Sequence, residues 1–307
     1  MHVALTIASV LCLFPPPGPA QLKSLKVETL PLAKSRSWSR PCWSPDGKTI
    51  YYTASDFDGI WAYSTIEGKS VQITSDRGSG DGFSISADGA RIAYRRALSG
   101  PLPGERLQEA VVRNVAGGTA SILMSGKLIS PPSFVRSDVV YSVGGKLQGV
   151  SAGVQRAGAV SILGIEDTRI AILRNGVKSL IDPLGNGSYR WPSLSPDGSR
   201  LVACEMDRGA FVADADGSHP LRIGRRDAPA WTRDGRWLIY MADRDDGSAI
   251  LSSEIACVSP DGKVSGELTA TSGRIEMYPR CSPVSDAIVC STLEGEILVI
   301  TYGEASR

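Results

Sequence analysis

The stretch that decides the fold is PCWSPDGKTIYYTAS, residues 41–55. An apolar residue is followed by Ser-Pro-Asp-Gly and then by a short run rich in β-branched and aromatic residues. Proline presets φ for the first turn position, aspartate bonds nearby backbone amides, and glycine adopts the positive φ that closes the turn. Flanked by apolar strands, this phrase predicts a tight antiparallel hairpin.

The same phrase recurs along the chain. Close copies begin at Ser86, Ser195 and Thr232, and degraded copies begin near residues 135 and 282. Their spacing brackets the forty-odd residues of a four-stranded propeller blade, and polar turns separate further short strands between them. We predict an all-β, six-bladed β-propeller of four-stranded antiparallel blades, which forms a single domain over residues 21–307. The blades should start near residues 36, 80, 131, 190, 227 and 276.

The two ends of the chain should close this ring. The last repeat lacks an outermost strand, and residues 25–32 (LKVETLPL) form an orphan strand of suitable length. Placed on the last blade, that strand leaves no unprotected edge, so we expect a monomer. The third repeat is irregular over residues 146–180, which hold either an insertion or a seventh, degenerate blade.

The phrases at residues 41–64 and 229–247 resemble the WD40-like repeats of the TolB-type six-bladed propeller. The resemblance covers most of the chain and implies an architecture, but that fold hosts many activities. Neither the amino-terminal α/β domain of TolB nor a hydrolase domain after Tyr302 is expected here. The specific activities of TolB and of prolyl-oligopeptidase-like hydrolases are therefore not implied.

The amino end predicts export. Val3 to Phe14 is a charge-free apolar run, followed by prolines and by the small residues Gly18 and Ala20. That pattern is typical of a signal peptide over residues 1–20 and is too short for a membrane span. We expect a periplasmic or secreted protein. The net charge of +1, from 33 basic and 32 acidic residues, does not indicate the excess of basic residues that is typical of nucleic-acid-binding proteins.

The chain offers little for catalysis. It has two histidines, no G-x-S-x-G nucleophile elbow and no phosphate-binding loop, so no catalytic residue is assigned. Five cysteines follow residue 20 at irregular spacing, which favours buried strand residues over a disulfide framework. Cys281 and Cys290, on successive strands, are the best-placed pair, and whether they form a disulfide stays open.

The segments that enter the first strands carry the binding candidates. Aromatic residues and arginine dominate binding hot spots, and first strands line the axis of a propeller. The alternative is that the aromatics pack between blades and the arginines pair with acidic turns. The candidate ligand-binding residues are Trp38, Arg40, Asp81, Tyr189, Arg190, Arg226, Asp227, Tyr278 and Arg280.

Acidic turns between second and third strands should share a face with those segments. Oxygen-rich clusters suit calcium, although these compositions are also those of ordinary turns. Weak calcium candidates are Asp56, Asp58, Asp207, Asp243 and Asp245. We therefore expect no cofactor beyond a structural calcium ion, and an exported, non-enzymatic scaffold that binds a protein, peptide or glycan at its channel mouth. The alternative is a metal-dependent lyase or hydrolase on the acidic turns, or an accessory propeller of a separate hydrolase.

Overall fold

The structure, a computed structural model, describes residues 21–99, 106–149, 158–271 and 273–305. Within these ranges, 26 strands form seven antiparallel sheets. The prediction of an all-β propeller with four-stranded blades is confirmed, whereas the prediction of six blades is wrong, because the structure has seven. Over the same ranges, no helix has the length and apolar character of a membrane span.

The first strand of the chain, β1 (Leu22–Thr29), belongs to the last blade. Blades 1 and 2 follow it and each have four strands, in sequential order from the axis outward. The strands of blade 1 are β2 (Trp38–Trp43), β3 (Thr49–Ala54), β4 (Ile60–Ser64) and β5 (Lys69–Thr74). Those of blade 2 are β6 (Ser84–Ile85), β7 (Arg91–Ser99), β8 (Arg106–Asn114) and β9 (Ser121–Gly126).

Blades 3 and 4 show three described strands each. Those of blade 3 are β10 (Ser133–Val135), β11 (Asp138–Val143) and β12 (Lys146–Gln148), and those of blade 4 are β13 (Val160–Glu166), β14 (Arg169–Arg174) and β15 (Val177–Ile181). The single repeat predicted from residue 131 onward is therefore two blades. Of the two alternatives for residues 146–180, an insertion or an additional degenerate blade, the structure has the additional blade.

Blades 5 to 7 return to the regular pattern. The strands of blade 5 are β16 (Tyr189–Leu194), β17 (Arg200–Glu205), β18 (Gly209–Asp214) and β19 (Leu221–Gly224). Those of blade 6 are β20 (Asp227–Trp231), β21 (Leu238–Asp245), β22 (Ile250–Val258) and β23 (Ser265–Glu267). Blade 7 combines β24 (Glu276–Cys281), β25 (Ala287–Thr292) and β26 (Ile297–Glu304) with β1.

The Ser-x-Asp-Gly phrase forms the predicted hairpin between first and second strands. In blade 1 the Ser44 hydroxyl donates to Asp46 at 2.6 Å, and the Lys48 amide donates to the same carboxylate at 3.1 Å. Gly47 closes the turn at φ 68°. The copies at Ser86, Ser195 and Thr232 repeat this hydroxyl-to-aspartate bond. The aspartates of the phrase are thus turn formers.

Closure of the ring by the amino-terminal strand is confirmed, with a shift of boundaries. The closing strand spans residues 22–29 rather than 25–32, and it pairs antiparallel with β26 from Leu22↔Glu304 to Thr29↔Leu298. Within β1 only Leu22 is buried. The strand therefore covers the edge of blade 7 with its backbone and anchors it with one side chain.

The geometry of blade 4 identifies its strands. The Thr168 carbonyl, in the β13–β14 turn, accepts from the Tyr189 amide at 2.8 Å, just as the Phe57 carbonyl in blade 1 accepts from the Gly80 amide at 2.9 Å. Phe57 lies between second and third strands, so β13, β14 and β15 are the second to fourth strands of blade 4. Residues 150–157, which precede them, lie outside the described residues.

The core consists of seven apolar clusters, one at each interface between neighbouring blades. The largest joins blades 6 and 7 around Ile239, Ile288 and Ile300. The two clusters that flank blade 3 are the smallest among the described residues, and each has three buried members. Close packing between faces of adjacent sheets therefore stabilises the ring all the way round.

The cysteines contribute to these interfaces as free thiols. None of the five described cysteines forms a disulfide. Cys281 pairs in register with Ile288, and Cys290 pairs with Leu298, so the two thiols are not opposite each other. Cys290 is fully buried in the cluster between blades 6 and 7.

Candidate functional site

The first strands of four blades interrupt their ladder at the same position. In β2 the register jumps from Ser39 to Cys42, and the two skipped residues are Arg40 and Pro41. The equivalent pairs are Trp191-Pro192 in β16, Ala228-Pro229 in β20 and Tyr278-Pro279 in β24. Proline has no N–H to give to a ladder, so it is tolerated in a sheet at such a bulge. We call these four features the x-Pro bulges.

The residue before each of these prolines has a left-handed backbone. The φ angles are 48° at Arg40, 52° at Trp191, 47° at Ala228 and 56° at Tyr278, and Gly82 occupies the equivalent place in blade 2 at φ 83°. For an L-residue this conformation costs about 1–2 kcal/mol. Strain of this kind clusters at ligand-binding sites, where the surrounding structure imposes it. Its recurrence at one depth of the axis marks the channel mouth as a candidate site.

Three of the four x-Pro bulges, those of blades 1, 5 and 7, line a cavity of about 320 Å³, which we call the mouth cavity. Its volume lies at the lower end of the roughly 300–1,000 Å³ typical of ligand pockets. The ring of Trp191 lies 6.4 Å from that of Tyr278, although the two residues belong to blades 5 and 7. Between them, the equivalent position of blade 6 holds Ala228, whose methyl group leaves the rings room to meet. The lining residues are Arg40, Pro41, Cys42, Gly80, Gly82, Phe83, Trp191, Tyr278 and Arg280.

On one side of the mouth cavity, Arg40 belongs to an ionic network. Its guanidinium donates to Asp81 at 3.3 Å and lies 4.4 Å from the centre of the Phe57 ring. Asp81 also accepts from Arg95 at 2.8 Å, and Arg95 donates to the Ile129 carbonyl. Asp81 is therefore shared by two guanidinium groups, and its charge offsets only part of theirs.

On the other side, Arg280 pairs with Val289 through its backbone, but its side chain has no hydrogen-bond or ion-pair partner among the described residues. Its side chain is exposed to the channel, yet protein surrounds it, and this desolvation lowers the pKa of its guanidinium below its ordinary value. The nearby positive charge of Arg40 acts in the same direction. An arginine remains protonated throughout the physiological range. The mouth cavity thus contains an uncompensated cation.

The thiol in the lining is not a nucleophile at neutral pH. Burial raises the pKa of Cys42 to about 12, and the neighbouring charge of Arg280 lowers it only in part. Because the thiolate is the reactive form of cysteine, Cys42 behaves as a small neutral wall residue.

Two of the predicted site residues belong to the core instead. Trp38 is buried between blades 7 and 1, and its indole donates to the Ala33 carbonyl at 2.9 Å. Tyr189 is 2% exposed, and its hydroxyl donates to Asp182 at 2.7 Å. Both side chains stabilise interfaces between blades and do not line the mouth cavity.

Arg190 and Arg226 lie outside the lining as well. Arg190 is exposed, and its guanidinium lies 5.9 Å from the Trp191 ring and within 3.3 Å of the Met206 sulfur. Arg226 lies 5.2 Å from the Tyr240 ring, and its buried Nε has no hydrogen-bond partner within the described ranges. Of the nine predicted residues, Arg40, Tyr278 and Arg280 line the cavity, and Asp81 holds Arg40 in place.

Asp227 begins β20, one residue before the blade 6 bulge, and its side chain hydrogen-bonds with Asp243. Burial and then the charge of Asp243 raise the pKa of Asp227 to about 6, and the more distant Arg225 and Arg190 lower it only in part. Asp227 therefore holds its proton to a higher pH than an ordinary aspartate. The structure thus places a pair of carboxyl groups beside the channel mouth.

The calcium candidates are not brought together in the described part of the chain. Asp56 accepts from the Asp58 amide at 3.0 Å, and Asp58 accepts from the Gly78 amide at 2.7 Å. Asp207 is exposed, and Asp245 pairs with Arg225 at 2.8 Å. Within the described ranges, no three His, Cys, Asp or Glu side chains are grouped so that they could hold a metal ion.

A larger cavity, of about 560 Å³, lies beside the β1–β2 connection and away from the axis. It is lined by Leu30, Leu32 and Trp38 and by a facing turn of blade 7. Arg274 and Glu296 in its wall form an ion pair at 3.2 Å, and Lys34, Arg36 and Glu294 also line it. The smaller mouth cavity is the better candidate, since strained backbone and an unpaired charge converge there.

Trp191 and Phe83 line the cavity but are absent from the predicted residues. A signal for Trp191 was present in the sequence: an x-Pro pair precedes the turn phrase at the same offset in RPCWS, WPSLS, APAWT and YPRCS. Aligning these segments by the proline would have selected Arg40, Trp191, Ala228 and Tyr278 together. Phe83 follows a glycine in blade 2, where no proline marks the position.

No known family model and no curated protein matches the chain. Solved structures do match its fold. A chain of the mitotic checkpoint complex has a TM-score of 0.62 at 11% identity and covers 98% of each chain. Oligogalacturonate lyase from Vibrio parahaemolyticus has a TM-score of 0.51 at 11% identity, over 92% of this chain and 98% of the lyase.

TolB from Acinetobacter baumannii also has a TM-score of 0.51, at 16% identity. The match covers 75% of this chain but only 53% of that TolB chain. At such identities these likenesses show the propeller fold alone, and fold does not determine function. TolB-like propellers are thus among the structures that this chain resembles.

Proposed function

We propose that this protein is a non-enzymatic binding propeller, which recognises a protein, peptide or glycan ligand in the mouth cavity. The observation that carries the proposal is the set of x-Pro bulges. Each costs stability through its left-handed residue, and three of the four present a large side chain, Arg40, Trp191 or Tyr278, to the same cavity. Trp, Tyr and Arg are the residues that dominate binding hot spots.

Packing accounts for only part of these three side chains, although Trp191 does pack against the cluster between blades 5 and 6. Arg40 is exposed, and Trp191 and Tyr278 are only partly buried. The equivalent position in blade 6 is filled by Ala228, which is fully buried. A small residue therefore suffices where only the core has to be filled, and the larger residues face the cavity for another reason.

The proposal includes a location and an oligomeric state: the protein acts outside the cytoplasm, as a monomer. Support for export comes from the apolar run and small residues within residues 1–20, which lie outside the described residues. Expression with and without residues 1–20, followed by cell fractionation, tests this part of the proposal. Export is expected only for the longer form, and equal cytoplasmic retention of both would contradict it.

A second candidate function is general acid–base catalysis by the Asp227–Asp243 pair. The observation in its favour is the raised pKa of Asp227, because carboxyl groups with such pKa values can transfer protons near neutral pH. One of the structures with this fold is a lyase that acts on oligogalacturonate. We rank catalysis second, because neither carboxyl group lines the mouth cavity.

The test of binding uses Trp191→Ala and Tyr278→Ala, with Ile66→Ala as a control. Ile66 is 74% exposed and lies in the turn between β4 and β5, at the opposite end of blade 1 from the mouth. A panel of peptides and glycans is screened against the wild-type protein, and hits are titrated on each variant alongside a thermal melt. The two mouth variants should weaken binding by about 2 kcal/mol each while the control binds normally. Ligands that bind all three variants as they bind the wild type would place the site elsewhere.

A further inference from the structure

The mouth cavity has an uneven distribution of charge. Arg280 and Arg40 both line it. Desolvation by the surrounding protein lowers the pKa of Arg280, and the positive charge of Arg40 adds to this effect. Asp81 offsets Arg40 but is itself shared with Arg95. Among the described residues nothing offsets Arg280. An anion between the two guanidinium groups would turn this repulsion into two attractions.

The hydrogen-bonding character of the lining is equally one-sided. Arginine and the tryptophan indole are donors only, so Arg40, Arg280 and Trp191 can donate but not accept. The Tyr278 hydroxyl is the one strong side-chain acceptor among the residues that line the cavity. A group that only accepts hydrogen bonds therefore suits the lining, and a carboxylate matches the planar fork of arginine.

The remaining walls are apolar. Phe83, Pro41 and the rings of Trp191 and Tyr278 surround the guanidinium groups. A saccharide would bring several hydroxyl groups that must both donate and accept, and these walls would leave most of them unpaired. An apolar side chain would meet no such penalty.

The size of the cavity limits how much of a ligand can enter. A volume of about 320 Å³ is small for a ligand pocket, so it suits the end of a chain better than a continuous segment. Building on the proposed binding function, we propose that the mouth cavity captures the free carboxyl terminus of a partner protein, with the carboxylate between Arg280 and Arg40 and an apolar last side chain against Phe83, Trp191 and Tyr278.

The experiment compares acids with amides. N-acetylated hexapeptides that differ only in the last residue are prepared as free acids and as carboxyl-terminal amides, and a trimer of galacturonate is included as a non-peptide carboxylate. Binding to the wild-type protein, to Arg280→Gln and to Arg280→Lys is measured by calorimetry. Arg225→Gln is the matched control, because Arg225 is exposed, pairs with Asp245 and is not in the lining.

Free acids with an apolar or aromatic last residue should bind at least tenfold more tightly than their amides. Arg280→Gln should remove this preference, Arg280→Lys should keep part of it, and Arg225→Gln should keep all of it. Equal binding of acids and amides, or binding of galacturonate and of no free-acid peptide, would overturn the proposal. Failure of the underlying binding function looks different: affinity for every ligand would then be unchanged in Trp191→Ala and Tyr278→Ala.

Discussion

Tyr189 and Tyr278 both lie in first strands, β16 and β24, and both lie close to a proline in sequence, yet the structure gives them opposite surroundings. Tyr189 is 2% exposed, and its ring packs against that of Phe211 at 5.7 Å. Its hydroxyl donates to Asp182 and accepts from the Leu184 amide at 2.8 Å. Tyr278 is partly exposed and has a φ of 56°. We therefore compare Tyr189→Ala with Tyr278→Gly.

The expected loss for Tyr189→Ala is about 3–5 kcal/mol, the range for truncating a buried aromatic ring. For Tyr278→Gly the contributions nearly cancel. Relief of the left-handed conformation gains about 1–2 kcal/mol, whereas the ring contact with Trp191 loses about 0.5–1.5 kcal/mol. The extra freedom of glycine in the unfolded chain costs about 0.5–1 kcal/mol more. The free energy of unfolding should stay within about 1 kcal/mol of the wild-type value.

Urea denaturation followed by far-UV circular dichroism measures both variants, and equal slopes of the unfolding free energy against urea would license the comparison. Ligand titration is then repeated on Tyr278→Gly, which should fold well and bind poorly. If Tyr278→Gly instead loses 3 kcal/mol or more, the left-handed backbone carries no strain that glycine relieves, and the tyrosine is a core residue. The functional interpretation of the bulges would then lose its main support.

Three further predictions follow from the fold. Deletion of residues 21–30 should lower stability by about 3 kcal/mol, mostly through the loss of buried Leu22, and should expose the edge of β26; an unchanged melting temperature with a monomeric elution profile would contradict this. Gly198→Val should destabilise more than Asp197→Ala in thermal melts, because Gly198 has a φ of 72° and valine is strongly disfavoured there; equal melting shifts would count against a strained turn. The contribution of Asp227 to stability should decrease as pH rises from about 4, where an unfolded aspartate ionises, to about 6, where Asp227 ionises in the fold, because Asp227 binds more protons in the folded state in that window. Asp227→Asn should flatten the dependence, and an identical pH profile for the variant would show that the protonation of Asp227 is not its source.

The blades that carry the turn phrase could be predicted from sequence because the phrase itself forms the hairpin. Blade 4, the additional blade, could not be predicted, because the turn between β13 and β14 uses Asp167 and Thr168 in left-handed conformations without any glycine. Asn175-Gly176, a favoured hairpin pair, was the remaining signal in that region. A blade whose strands pack against neighbouring blades can tolerate a strained turn. Tertiary contacts then stabilise the hairpin in place of a favourable turn sequence.

The candidate residues were expected at the channel mouth, and three of them, Arg40, Tyr278 and Arg280, line the mouth cavity. The segments before first strands do meet at the channel mouth, as the propeller geometry requires. Sequence alone did not show which side chains point into the cavity, because a bulge reverses the alternation of a strand. Tyr189 lies three residues before its proline and faces the core, whereas Tyr278 lies next to its proline and faces the channel.

The x-Pro bulges also bear on how recognition could be rewritten, by evolution or at the bench. Each bulge is set by its proline and by the ladder around it, and the residue before the proline differs from blade to blade. Exchange is least restricted at exposed Arg40, because Ala228 is fully buried and Trp191 packs against the cluster between blades 5 and 6. Within this one chain, the position before the bulge proline is occupied by four different residues, Arg40, Trp191, Ala228 and Tyr278. Specificity could thus be edited blade by blade, with one restriction. Trp191 and Tyr278 touch, and residues in contact do not contribute additively, so these two positions would have to be changed as a pair. Arg40 would likewise have to be changed together with its partner Asp81.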